Sequence, residues 1–207
     1  MDYRRTYRTA AVTFVDLVSR LPAGRWDEPA LGDWTLRDLI GHTAGSALRQ
    51  VTDVLATPAA DVVIPAAEGY FAFARTVPPA RYAAAVAAST EDARRTGLRL
   101  TGPSATLIGE LAGRATQALA AAGDDDVVAT PAGGMRVRDW LPTRTFELVV
   151  HGLDAAAATG LEAGFAAEAI TEATVLAARI AAAVGDGPAA LRALTGRATL
   201  PKNFSVI

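Results

Sequence analysis

The stretch RTFELVVHGLDAAAATG, residues 144–160, sets Glu147 and His151 four positions apart inside an otherwise apolar run. On a helix that spacing stacks a carboxylate above an imidazole, one turn along the same face. Trp140, Arg144, Glu147, His151, Asp154 and Ala158 continue as one stripe. Phe146, Leu148, Val149, Val150 and Leu153 spread apolar atoms over much of the remaining circumference. A helix apolar nearly all round is a buried helix, so the chain reads as all-α with this segment at its centre. A carboxylate and an imidazole inside a bundle are costly unless paired or held by a metal. The stripe therefore needs a partner.

The only other histidine is His42, within TLRDLIGHTAG, residues 35–45. Thr35 and Asp38 form a T-x-x-D capping pattern ahead of an apolar run, which starts a helix near Leu36 and puts His42 about two turns in. Gly41, Ala44 and Gly45 add almost no side-chain volume, leaving room for a close helix neighbour or a small ligand. One histidine here and an E-x-x-x-H on a second helix make three ligands, the count of a catalytic metal site with one open position. The plainer alternative is a solvated Glu–His helix pair, worth about 0.2–0.5 kcal/mol, with His42 a satisfied core residue. Both histidines fall on strong helices, and the E-x-x-x-H lies where solvated pairs are least expected.

The remaining chain punctuates into helices. Tyr3, Tyr7, Ala10, Phe14, Leu17 and Leu21 form a first amphipathic stripe, ended by Pro22 to Gly24. Residues 25–34 read as an irregular link whose Trp26 and Trp34 pack over the bundle end. The His42 helix runs to about Leu55 and stops at Pro58. A short helix is expected over 68–77 and another helix, in one or two pieces, over 80–100. A further one spans 103–123, opened by Gly102–Pro103 and closed by Gly123. Either of the last two supplies the remaining bundle helix. DDDVVATPAGGMRVR, residues 124–138, reads as a solvated acidic loop and a small hairpin. The central helix follows from about Asp139, with Pro142 in its first turn and Gly160 as its cap. Helices at 166–185 and 188–195 and an irregular tail form a C-terminal extension, so 1–160 is the bundle and 161–207 packs on it as one domain overall.

Composition narrows the function. At 207 residues the chain is long enough for a sizeable core. A net charge of −2 and a pI near 5.7 leave no basic footprint for nucleic acid. There are no cysteines, so any thiol chemistry uses a thiol brought by a ligand. The N-terminus lacks a signal-peptide pattern and no apolar run reaches membrane-spanning length, so a cytoplasmic location is expected. Lys202 is the sole lysine among 20 basic residues, the bias of a GC-rich genome.

Three segments together, LGDWTLRDLIGHTAG at 31–45, RTFELVVHGLDAAAATG at 144–160 and ALTGRATLPKNFSVI at 193–207, resemble the DinB-like superfamily. Within it the chain is similar to the actinobacterial family of the mycothiol-dependent maleylpyruvate isomerase N-terminal domain. The resemblance implies a four-helix bundle with an up-down-down-up connection, its long crossover falling in 56–102. It also implies a divalent metal held by His42, Glu147 and His151, and mycothiol as thiol cofactor or co-substrate. The family's full isomerases carry a further C-terminal domain that this chain does not reach, so the specific isomerase activity does not carry over directly.

Two imidazoles and a carboxylate suit Zn²⁺, and also serve Fe²⁺ or Ni²⁺. A metal-held thiol is deprotonated, which suits S-transfer or thiol-assisted cis–trans isomerisation of a small electrophile. Arg144 is placed to clamp a substrate carboxylate, or else forms a surface salt bridge. Asp154 is placed to accept the free ring N–H of a ligand histidine, or else is a charge near a helix C-terminus. The competing readings are a non-catalytic metal-binding or regulatory bundle and a biosynthetic-cluster enzyme acting without a thiol. A monomer or a homodimer is expected.

Overall fold

The structure is a computed structural model that describes residues 2–100 and 104–207. The expected helix opening at Gly102–Pro103 lies outside them. Helix α1, Tyr3–Ser19, is capped by Asp2, whose carboxylate accepts from the Arg5 N–H, and buries Tyr7, Ala10, Phe14 and Leu17. Helix α2, Leu36–Thr43, begins with the capping box read from the sequence. The Asp38 N–H donates to Thr35 Oγ1 at 3.2 Å and the Thr35 N–H to Asp38 Oδ2 at 3.1 Å.

The expected uniform helix to Leu55 is instead interrupted by a π-helical stretch, Ala44–Arg49, before α3, Gln50–Leu55. Its cause is visible in the carbonyls of that stretch. Ser46 O accepts from Arg144 at 2.7 Å and Ala47 O from the Tyr7 hydroxyl at 2.8 Å. Outside donors pull these carbonyls off the helix axis, and the turn widens.

Helix α4 is Ala67–Ala72, followed by a 3₁₀ turn, Phe73–Thr76. Helix α5 is a single piece, Pro79–Leu98, and α6 is Ser104–Ala121. Of these two longer helices α6 completes the bundle: it buries Ile108, Ala112, Ala115 and Leu119 and packs on α1 and α3. Helix α5 is exposed through its first three turns and lies outside, against α2. Helix α7, Val137–Thr159, closes the ring against α1 and α2.

Polar ties give the directions. Arg4 at the start of α1 donates to the Leu119 and Ala122 carbonyls, while Arg20 and Arg25 past its end donate to Glu162 and Ala158. So α1 runs against α6 and with α7. Gln50 faces Arg144 and His42 faces His151, so α2–α3 runs against α7. The bundle is up-down-down-up, its crossover filled by α4 and α5.

Three other expectations change. The link expected as irregular over 25–34 follows a 3₁₀ turn, Ala23–Arg25, and carries an antiparallel pair, β1 Pro29–Leu31 with β2 Trp34–Thr35. Helix α7 begins two residues before Asp139, so Pro142 lies in its second turn and forfeits one intrahelical hydrogen bond. Leu153 is 45 % exposed, so α7 is buried on its bundle faces and open along one edge. Gly160 ends it at φ 72, as its lack of a Cβ permits. The hairpin forms as read, β3 Val127–Thr130 against β4 Gly133–Arg136. The acidic run before it is paired carboxylate by carboxylate: Asp124 with Tyr3 and Arg4, Asp125 with Arg138, and Asp126 with the Gly123 N–H. Helix α8, Ala167–Ala183, packs on α7 and α4, and α9, Gly187–Leu194, packs on α8.

Gly41 is where α5 approaches α2. A Cβ there would meet the Ala93 carbonyl oxygen at 2.2 Å, a backbone atom that cannot rotate away. Gly41→Ala should therefore destabilise by about 1–3 kcal/mol, lowering the melting temperature by roughly 2–10 °C. Gly113→Ala on α6, where a Cβ meets nothing within 4 Å, should hold or raise it. Thermal melts followed by circular dichroism compare the two.

Candidate metal centre

His42 comes from the end of α2, and Glu147 and His151 from successive turns of α7. The antiparallel packing of these helices brings both imidazoles to one carboxylate oxygen. His42 Nε2 and His151 Nε2 each lie 3.4 Å from Glu147 Oε2. The three ligand atoms all fall within 4.8 Å of one another, and the imidazoles meet edge to face with centroids 5.0 Å apart. Two ligands about 2.0–2.1 Å from a shared tetrahedral ion stand roughly 3.4 Å apart, so the two nitrogen-to-oxygen separations match a common ion.

The outer ring nitrogens are engaged as well. His151 Nδ1 lies 3.2 Å from Asp154 Oδ2, and His42 Nδ1 lies 3.4 Å from Ser89 Oγ on α5. Such partners fix each ring's orientation and leave Nε2 facing inward. Ser46 Oγ donates to Glu147 Oε2 at 3.3 Å. The Trp34 ring stands 4.8 Å from that of His42, so this tryptophan, expected to cover only the bundle end, also shields the centre.

Burial pushes the Glu147 carboxyl up, but hydrogen bonds from His151 and His42 and the charge of Arg144 outweigh it and hold the group well below the usual carboxylate range. Burial likewise disfavours charge on His151. The bonds to Asp154 and Glu147 prevail and raise its pKa to about 9.

Arg144 is buried on the side of α7 away from solvent. Its Nη1 donates to Ser46 O at 2.7 Å and Gln50 Oε1 at 2.6 Å, and its Nε to Thr143 Oγ1 at 3.0 Å. The guanidinium stacks 4.8 Å from the Tyr70 ring and, among the described residues, has no carboxylate within ion-pair distance. Ser46, Ser89, Gln50 and Tyr70 were not singled out from the sequence. Ser46 is four positions after His42 and so was accessible to helical spacing, whereas Ser89 and Tyr70 arrive from the crossover and carried no such signal.

Beside His42, Glu147 and His151 opens a cavity of about 410 Å³, walled by α4, the 3₁₀ turn, α5, the hairpin tip at Pro131 and Ala132, and Ile207 of the tail. Fold and site together define a helical-bundle protein with a two-histidine, one-carboxylate cluster at the floor of an open cavity. The mycothiol maleylpyruvate isomerase N-terminal domain family matches residues 7–156, and the chain belongs to that family. Comparison with curated proteins and with solved structures yields no match. No helix among the described residues is long and apolar enough to cross a membrane.

At a metal site that includes His151, protons would compete with the ion for its ring. Its folded-state pKa is raised above 6.5, so in the metal-free protein the charged ring stabilises the fold fully below about 6.5, a contribution lost as pH rises through about 9. Metal needs the neutral ring, so affinity should climb with pH until about 9 and then level. Asp154→Asn should move that inflection downward and weaken binding about 10- to 100-fold. Calorimetric metal titrations in buffers of different ionisation enthalpy read both the proton release and the affinity.

Proposed function

We propose that this chain is a divalent-metal-dependent enzyme that uses a small-molecule thiol, mycothiol being the thiol the family description names, to transfer sulfur to a small electrophile or to isomerise one. The observation that carries this reading is the convergence of both imidazole Nε2 atoms on Glu147 Oε2 at the floor of an open cavity. The donor set is chemically apt: two neutral nitrogens and one carboxylate oxygen suit Zn²⁺ and leave one position for a ligand entering from the cavity.

The chemistry a bound divalent ion supplies is acidification of a coordinated thiol, which makes a thiolate nucleophile available at neutral pH. The protein's own residues do the rest. His42, Glu147 and His151 set the position of the open site. Asp154 and Ser89 hold the two imidazoles with Nε2 inward, and Ser46 steadies the Glu147 carboxylate. Arg144 acts through Glu147: committed to Ser46 and Gln50, its guanidinium supplies positive charge behind the carboxylate. Asp154 is a positioning residue for His151. Trp34 and the aromatic cavity wall exclude water and strengthen each electrostatic interaction at the floor. A cytoplasmic setting, where a reduced thiol pool exists, accords with a chain that has no cysteine of its own.

If the three residues form one site, His42→Ala and His151→Ala should each abolish stoichiometric metal binding. In the native chain, chelation at a thousandfold metal excess over Kd should cost about 4 kcal/mol of stability, roughly 10 °C in melting temperature, and both variants should lose that response. Mycothiol should perturb the absorption of the cobalt-loaded protein and leave Glu147→Ala unaffected. Elemental analysis, thermal melts and absorption titration test these points. Retention of metal by either histidine variant would refute the shared site, and turnover of an electrophile without thiol would refute the thiol's role.

A further inference from the structure

The walls of the cavity above the centre differ in kind from its floor. Tyr70 and Phe71 from α4, Phe73 from the turn after it, Val77 just past that turn, and Tyr82 from α5 form its sides. Phe71 is fixed in place, its ring edge-on to Tyr70 at 5.3 Å and 5.1 Å from Phe146. Among the described lining residues none is Arg, Lys or Asp, and the one carboxylate side chain is that of Glu147 at the floor. Arg144 lies buried behind the Tyr70 ring, its Nε and Nη1 donating to Thr143, Ser46 and Gln50 and its Nη2 enclosed with no hydrogen-bond partner, while Arg75 of the 3₁₀ turn is exposed and donates to the Ser205 carbonyl. The cavity therefore meets a ring face where a cation would be needed to receive a carboxylate.

A charged group placed against these walls loses its water and gains no ion pair, a large penalty. A planar apolar group stacks on rings held at aromatic packing distance. We infer that the cavity selects a substrate whose body, beyond the reach of the metal position, is apolar, uncharged and planar, an aryl- or alkenyl-type electrophile, and that it disfavours dicarboxylates. This inference rests on reading His42, Glu147 and His151 as the floor of the reaction site. The specificity-determining residues are Tyr70, Phe71, Phe73 and Tyr82.

The test uses two thiols of matched shape, phenylmethanethiol and 4-(sulfanylmethyl)benzoate, titrated into the cobalt-loaded full chain while the sulfur-to-cobalt absorption band is followed. The neutral thiol should bind at least about tenfold more tightly than the carboxylate. Phe73→Arg and Tyr82→Arg, both at exposed rim positions, should narrow or invert that ratio by supplying the missing cation. Equal affinities in the native chain, or a ratio that neither variant alters, would overturn the inference.

If neither thiol produces the band, thiol coordination itself has failed. The metal-free protein then decides the cavity question separately, with benzyl alcohol and 4-(hydroxymethyl)benzoate titrated against the fluorescence of Trp34, which stands beside His42. A neutral preference of about tenfold or more sustains the apolar selection. Equal binding of the two, or none, rejects it.

Discussion

A single carboxylate taken out of water organises this molecule. Glu147 lies on the bundle-facing side of α7, and its charge needs compensation at close range. Two imidazoles provide it, each 3.4 Å from the same oxygen, with a serine hydroxyl at 3.3 Å. One imidazole comes from its own helix and the other from α2, about a hundred residues earlier. That requirement ties α2 to α7 in an antiparallel arrangement and orients the floor of the cavity. The unusual polar content of an otherwise apolar helix is thus the reason the helices pair in this register.

The same constraint spreads to the surrounding backbone. Arg144, one turn before Glu147, reaches across to the Ser46 carbonyl and Gln50, and Tyr7 reaches the neighbouring Ala47 carbonyl from α1. These contacts widen α2–α3 into its π-helical stretch, between the turn that holds His42 and the one that faces Arg144. The glycines at 41 and 97 let α5 press onto α2, and Ser89 arrives at the outer nitrogen of His42 as a result. Removing side-chain volume on one helix face therefore positions a hydroxyl on another.

The cavity has a separate origin. Its floor belongs to the bundle, whereas its walls come from the crossover between the second and third bundle helices, from the hairpin that leads into α7 and from the tail at Ile207. Gly134 is required where that hairpin passes the crossover, because a Cβ would fall 2.0 Å from the Asp61 carbonyl oxygen. Family membership, shown over residues 7–156, covers the floor and the crossover and hairpin walls, while Ile207 of the tail, which also lines the cavity, lies beyond that span.

Much of this was readable in the linear chain because it depends on local periodicity. The T-x-x-D cap, the E-x-x-x-H spacing, the Gly160 terminus and the hairpin all depend on neighbours within a few residues, and so did the suggestion that His42 and the α7 pair belong together as the only histidines on strong helices. The choice of α6 over α5 as bundle member, the π-helical stretch, the approach of Trp34 to His42 and the enclosure of Arg144 behind Tyr70 were decided by packing. Each depends on side chains distant in sequence competing for the same space and the same carbonyl oxygens, and neither periodicity nor composition records which of them will meet.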